Sequence, residues 1–267
     1  MTQQEKRLSP PSAAAVALPK ISVITVVYNG VDELEQTMLS VTEQSYPNIE
    51  YIVIDGGSGD GTLDIIERYR ERIDVLVSER DRGIYDAMNK GLALATGEWV
   101  NFMNCGDYFY DRAVIEQIVP DLRSEHVLVA GGYTMFSAIS SASFEASPLA
   151  AGKMPSSHQS IFFNASAAKR FPYNTDYRVG ADYDVVCRLV RANAGDLALS
   201  PVMVVRMNEV GFASANFNIW LKDYKKVIRR NHGALTAHLW TAKALIAKYL
   251  PGLVRLSPRR LLRQRAS

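Results

Sequence analysis

Carboxylate and amide side chains recur in this sequence where apolar runs end. Residues 99–103 open into Asn104-Cys105-Gly106-Asp107, and residues 50–54 lead into Asp55-Gly56-Gly57-Ser58-Gly59-Asp60-Gly61-Thr62. Residues 21–27 (Ile-Ser-Val-Ile-Thr-Val-Val) stop at Tyr28-Asn29-Gly30, and His158-Gln159 stands just ahead of the apolar residues 160–163. A further pair of acids, Asp182 and Asp184, opens a stretch of helical periodicity. Loops of this kind suit two chemistries: a hard divalent cation takes oxygen ligands, and a carboxylate near a hydroxyl can act as general base. Open α/β sheets carry their ligands outside the carboxyl ends of the strands, which is where these residues would lie.

Other chemistries lack their signatures. The two cysteines, Cys105 and Cys187, are far apart and form no C-x-x-C, which argues against a disulfide framework or a structural zinc site and suits a reducing cytosol. The four histidines (126, 158, 232 and 238) show no H-E-x-x-H spacing. The glycine-rich loop fails G-x-G-x-x-G, because Thr62 stands where a glycine is needed, and no G-x-x-x-x-G-K-[ST] occurs. Asp-Gly-Gly also turns a chain of its own accord.

The elements that must hold these residues follow from periodicity. Residues 21–27 are β-branched and nearly continuous, the pattern of a strand buried on both faces. Leu34, Met38 and Val41 give a helical stripe, residues 50–54 a second strand, Leu63, Ile66, Tyr69 and Ile73 a second helix, and residues 74–78 a third strand. Ile84, Met88, Leu92 and Ala95 put one apolar face on a third helix, with Asp86 and Lys90 able to pair elsewhere on it. Thr96-Gly97 ends that helix, glycine suiting the position after a last turn, and residues 99–103 form a buried strand. Four alternations of strand and helix predict a mostly parallel sheet covered on both faces. Further on, residues 111–119 read as a short helix, 127–130 as a strand, 131–152 as irregular strands and a mobile loop, 181–191 as a helix, and 217–249 as helical.

Residues 78–107 carry a dense resemblance. Asp81, Gly83, Asp86, Ala87, Asn89 and Gly91 match D-x-G-x-x-D-A-x-N-x-G, while Gly97, Glu98, Phe102 and Asp107 match G-E-x-(apolar)-x-F followed by an acidic turn. Residues 180–189 add (E/D)-D-x-D-(apolar)-x-x-R-L, with Ala181 in place of the first acid. The sequence thereby resembles the inverting glycosyltransferases of family 2. That resemblance implies a GT-A fold, a Rossmann-like nucleotide-diphospho-sugar transferase with a mostly parallel sheet flanked by helices. It also implies transfer of a sugar from a nucleotide sugar, expected to be UDP-linked, to a saccharide or polyprenyl-linked acceptor. Relatives of exopolysaccharide, capsule or colanic-acid type work in this way at the cytoplasmic face of the membrane.

The resemblance also implies roles. Tyr28 and Asn29 take the donor-base position, where a tyrosine ring can stack on a nucleobase for about 1–3 kcal/mol. Asp55 faces the uracil NH; Asp81, Arg82, Gly83, Asp86 and Asn89 stand near ribose, base or diphosphate; Asn104 and Asp107 belong to the metal turn. Asp107 holds Mg²⁺ or Mn²⁺, with one carboxylate where relatives have D-x-D or D-D. His158 and Gln159 stand near diphosphate or acceptor. Asp182 is the catalytic base, with Asp184 as second candidate. Ala181 and the reduced metal turn leave open a degenerate module that binds nucleotide or a partner without catalysis. A nucleotidyltransferase would want a basic residue after the first strand, which Tyr28-Asn29-Gly30 lacks.

Charge is unevenly distributed. Residues 222–267 hold twelve Lys+Arg and one acid (Asp223), a net of +11, whereas the other 221 residues hold 18 Lys+Arg and 27 acids, a net of −9. An acidic body lacking basic-aromatic interleaving argues against nucleic acid, and the basic end predicts attraction to an anionic membrane surface. No run of eighteen apolar residues predicts a transmembrane helix, and Pro10-Pro11 interrupts the start where a signal peptide would need an apolar stretch. The expected organisation is a disordered tail over residues 1–19, a GT-A domain over 20–215 and a helical basic extension over 216–267. The protein is expected in the cytoplasm, peripheral at the inner face of the membrane.

Overall fold

The computed structural model describes residues 18–135, 138–140, 153–192, 197–207 and 216–249. The expected N-terminal tail up to residue 17, most of the expected mobile loop and the Arg-rich tail lie outside these residues. Strands β1 (Ile21–Val27), β2 (Ile49–Asp55), β3 (Val75–Ser78) and β4 (Trp99–Phe102) alternate with helices α1 (Leu34–Thr42), α2 (Thr62–Arg68) and α3 (Ile84–Leu94). There follow β5 (Tyr108–Phe109), α4 (Val114–Ile118), β6 (Leu128–Met135), β7 (Ala138–Ser140), β8 (Ile161–Asn164), α5 (Ala165–Lys169), α6 (Ala181–Ala192), β9 (Leu197–Arg206) and the long helix α7 (Phe217–Tyr249).

The strands form one sheet in the order β3-β2-β1-β4-β8-β6-β9-β5, with β7 paired to β6. The first four are parallel, as the βα alternation requires. Alternate residues of β1 fill opposite layers. Ile24 and Val26 pack with α3, α5, α6 and α7, while Ile21, Val23 and Val27 pack with α1, α2 and α4. A strand covered on both faces must be apolar throughout, and this is why β1 reads as an unbroken run. Beyond β4 the sheet is mixed, because β8 pairs antiparallel with both β4 and β6.

Register places the functional edge. Val27 stands opposite Asp55, Asp55 opposite Ser78, and Ile24 opposite Phe102, so the loops after β1, β2, β3 and β4 leave the sheet together. Because β8 is antiparallel to β4, with Asn101 facing Phe162, its beginning lies at that same edge. The short turn His158–Ser160 that precedes it is thereby brought beside residues 104–107.

Two local expectations are corrected. Ile84 is exposed, and the inward face of α3 is Tyr85, Met88, Gly91 and Leu92, one step round the helix. Gly97 is not a left-handed helix cap: α3 ends at Leu94, and a Cβ on Gly97 would lie 2.6 Å from the Lys20 carbonyl oxygen and 2.7 Å from the Ser22 nitrogen. Glycine is required there by close approach of two backbones. The expected Asp86–Lys90 pair forms at 3.7 Å, although Lys90 lies nearer Glu79 at 2.8 Å.

Glu50 clasps this half of the sheet. Its carboxylate accepts hydrogen bonds from Ser22 Oγ (2.5 Å), Thr96 N (2.7 Å) and Thr96 Oγ1 (2.5 Å), and pairs with Lys20 Nζ at 2.9 Å. Burial alone would raise this carboxyl, but the bonds from Ser22, Thr96 and Lys20 outweigh it and hold the pKa at about 2. Because the folded value lies below the unfolded one, the clasp stabilises above pH 4.5 and is lost as pH falls towards about 2. Glu50→Gln is expected to cost about 2 kcal/mol at pH 7, with the gap to wild type narrowing at pH 3. Urea midpoints at the two pH values check this, and a gap that ignores pH would contradict it.

Candidate active site

The loop after β1 is stapled to the loop after β2. Asn29 adopts φ 49°, accepts a hydrogen bond from the Gly59 N–H (3.0 Å) and donates its own N–H to Ser58 Oγ (2.8 Å). Gly30 N–H donates to Thr62 Oγ1 at 2.9 Å and Val31 N–H to Asp60 at 3.2 Å. With the backbone fixed in this way, Tyr28 projects outward with 65 % of its surface exposed, an aromatic face open to a ligand. Asp55 is fully buried and receives the N–H groups of Gly57 (3.1 Å) and Ser58 (3.2 Å) and the hydroxyl of Ser78 (2.7 Å). Its carboxylate therefore shapes the floor of this loop.

Asp81 lies against Gly56, where any Cβ would strike its carboxylate, and it accepts the Gly83 N–H at 2.8 Å. Gly83 itself has φ 113°, a conformation that favours glycine. Asp86 takes both the backbone N–H (3.2 Å) and the guanidinium (3.0 Å) of Arg82. Burial would raise the Asp86 carboxyl, but Arg82 and Lys90 hold it below the ordinary value. Asn89 donates to the Tyr173 carbonyl and accepts from the Tyr173 N–H, both at 2.8 Å. Its amide thus clamps the segment before α6.

The other half of the site is a chain of contacts between distant parts of the sequence. Gln159 Nε2 donates to Asp107 Oδ2 at 2.5 Å. The adjacent His158 has Nε2 2.9 Å from Asn104 Nδ2, and its Nδ1 lies 3.6 Å from Asp182 Oδ2. Asp182 Oδ1 accepts from the Tyr85 hydroxyl at 3.3 Å, and that hydroxyl accepts the Gly180 N–H at 2.9 Å. The Asp107 and Asp182 carboxylates are therefore brought near one another, joined through His158-Gln159. Asp184 is turned away: it is fully buried, bound by Arg188 Nε (2.8 Å) and Asn231 Nδ2 (2.8 Å), and cannot meet an acceptor.

Sequence reasoning missed Tyr85. It is buried, stacks on Tyr173 with ring centroids 5.6 Å apart, and its phenol is pushed well above the ordinary range by burial and then by the Asp182 charge. The available signal was a hydroxyl-bearing ring on the inward face of α3. Burial and the nearby Glu33, Asp107 and Asp60 push the Cys105 thiol up to about 12.

The residues fit a divalent cation held partly by its substrate. Among the described residues no group of three or more His, Cys, Asp or Glu could hold a metal by itself. Beside Asp107, however, the buried amide oxygens Asn104 Oδ1 and Gln159 Oε1 have no hydrogen-bond partner. One carboxylate and neutral oxygens form a set suited to a hard ion whose remaining positions go to phosphate and water.

A sequence profile of Glycosyl transferase family 2 matches residues 22–191. The chain is similar to a PGL/p-HBAD biosynthesis glycosyltransferase of Mycobacterium bovis, 32% identical over 206 residues, covering 73% of this chain and 79% of the relative. Its fold is similar to that of Staphylococcus aureus TarS 1-349 solved with UDP-GlcNAc (TM-score 0.63, 16% identity, 86% of this chain and 73% of that one). It is similar also to the mannosyltransferase PcManGT from Pyrobaculum calidifontis solved with GDP-Man and Mn²⁺ (TM-score 0.62, 20% identity, 92% and 81%). The match over most of the sheet, joined to a site whose acids converge at its carboxyl edge, makes this chain a glycosyltransferase of family 2.

Proposed function

We propose that the protein transfers a sugar with inversion from a nucleotide sugar, UDP-linked, to a saccharide or polyprenyl-linked acceptor in surface polysaccharide biosynthesis. The observation that supports this reading is the contact chain Asp107–Gln159–His158–Asp182, in which Asp107 would serve as metal ligand and Asp182 as base. In this reading Tyr28 stacks on the nucleobase, Asn29 and Asp55 hold the loops that receive it, and Asp81, Arg82 and Gly83 line the ribose and diphosphate side. Asn89 and Asp86 fix that wall.

Asp182 takes the proton of the acceptor hydroxyl as its oxygen forms a bond to C1 of the sugar, opposite the C1–O bond to diphosphate that breaks. Tyr85 and His158 orient the Asp182 oxygens for that transfer. Asp107, with Asn104 and Gln159, would hold Mg²⁺ or Mn²⁺, which when bound neutralises charge on the departing diphosphate. The relatives and neighbours named above support the donor class, two of them having been solved with nucleotide sugars.

The basic C-terminal segment supports work at the inner face of the cytoplasmic membrane on an acceptor held there. No helix of the described residues is long and apolar enough to cross a membrane.

A panel of nucleotide sugars with and without Mn²⁺, read by thermal shift, tests the proposal. A donor at a hundred times its Kd should stabilise by about 2.7 kcal/mol, roughly 5–10 °C for a chain of this size. Asp107→Ala should remove the Mn²⁺-dependent part of the shift. No shift with any nucleotide sugar, and no nucleotide diphosphate released by the wild type, would end this reading.

A further inference from the structure

The last helix breaks at Gly233 (φ 88°, ψ 169°), where a Cβ would meet nothing within 4 Å, and the chain sets off in a second helical arm, residues 234–249. The inward side of this arm is firmly seated. Ala237 is buried in the main core, Trp240 packs on Trp220 (5.0 Å between ring centroids) and Tyr224 (5.3 Å), and Lys248 Nζ stands 3.6 Å over the Phe217 ring. The two tryptophans are half-buried and pack on one another and on Tyr224. The outward side is apolar nonetheless. Leu235 (75 %), Leu239 (64 %), Ile246 (41 %) and Tyr249 (64 %) are exposed, and their separations of four, seven and three residues fall on one stripe of an α-helix. At 1.5 Å per residue the stripe runs for about 20 Å.

A continuous apolar stripe on the solvent side of a helix calls for an occupant. Charge decides which. Between residue 224 and the C-terminus there are eleven Lys+Arg and no acid, five of them arginines beyond residue 250. A second copy of this chain would bring two such segments against each other, whereas an anionic bilayer attracts both. We propose that the stripe of the second arm beds in the interfacial layer of an anionic membrane with the helix lying in its plane, drawn there by the net positive charge of this part of the sequence. This names the partner surface for the sugar-transfer reading above and rests on it for its purpose. The arm is joined to the site through rings: Trp240 stacks on Tyr224, Tyr224 stacks on Tyr183 of α6 (5.5 Å), and α6 also carries Asp182. Seating the stripe in lipid would thus hold the base-bearing helix close to an acceptor anchored in the same bilayer.

The test is flotation of the full-length chain with vesicles of phosphatidylcholine containing 30 mol% phosphatidylglycerol, beside vesicles of phosphatidylcholine alone. Wild type should float with the anionic vesicles and far less with the neutral ones. The triple variant Leu235→Ser, Leu239→Ser, Ile246→Ser keeps every charge and changes only exposed side chains, and should bind anionic vesicles more than tenfold less. Equal flotation of variant and wild type, or no flotation of wild type, would overturn the proposal. So would a concentration-dependent dimer, seen by light scattering, that the variant abolishes, since the stripe would then be a contact between copies. The nucleotide-sugar thermal shift measured on the same samples reports the transfer reading separately, because none of these residues touches the site.

Discussion

Asp182→Asn is expected to lower turnover by about 10²–10⁴-fold, the usual share of a general base, while leaving the donor-induced thermal shift at the wild-type value. The substitution is nearly isosteric. A carboxamide oxygen can still accept from Tyr85, and the His158 side remains within reach, so the pocket edge keeps its shape. What is lost is a group able to take the acceptor proton. The signature is therefore a fall in kcat with the KM for donor little changed, an interaction removed from the transition state alone. Steady-state assays with a soluble acceptor and isothermal titration of the donor separate the two quantities. Wild-type turnover would remove Asp182 from the reaction, and Asp184 could not replace it, because its carboxylate is sealed inside the protein.

That contrast between two acids shows where sequence reading stops. Asp182 and Asp184 are two positions apart, roughly 200° around a helix, so one must face away from whatever the other faces. The pattern establishes this but not which one meets the core; only the packing of α6 on α7 decides it, through Asn231, 47 residues further on. Elements of high local consistency were legible: the β1–β4 alternation, the helix of residues 181–191 and the bounds of the long C-terminal helix. Features that depend on distant partners were not. The antiparallel entry of β8 carries His158-Gln159 to Asp107, yet nothing in residues 158–164 states their direction. Glu50 reads as the first residue of a strand, and its role appears only when Lys20, Ser22 and Thr96 close on it. Ile84 obeys the helical period, but in the first turn it is the neighbouring Tyr85 that takes the inward position. For Gly97 the residue type was informative and the reason was not, since a left-handed cap and a close backbone approach both select glycine.

Asp184→Ala is expected to destabilise the protein by about 3–5 kcal/mol, the cost of removing one partner of a buried ion pair. Three groups converge on this fully buried carboxylate: Arg188 Nε at 2.8 Å, Asn231 Nδ2 at 2.8 Å and, more loosely, Arg230 at 4.0 Å. Alanine would leave the Arg188 guanidinium its bond to the Pro172 carbonyl and its place over the Phe171 ring, and the Asn231 amide its bond to the Val227 carbonyl. The damage is not confined to α6, because Asn231 belongs to α7 and the carboxylate is a buried polar link between the two helices, beside the Tyr183–His232 and Arg191–Asn231 bonds. Asp184→Asn, which keeps an acceptor but removes the charge, should cost clearly less, so the ordering wild type, Asn, Ala is part of the expectation. Urea denaturation followed by far-UV circular dichroism gives the differences, and tryptophan emission reports the seating of α7 through Trp220 and Trp240, which lie against one another at its bend. If alanine costs less than about 1 kcal/mol, the apolar contacts of Val227 and Ile228 suffice to hold the helix, and the buried carboxylate does not couple α7 to the helix that carries Asp182.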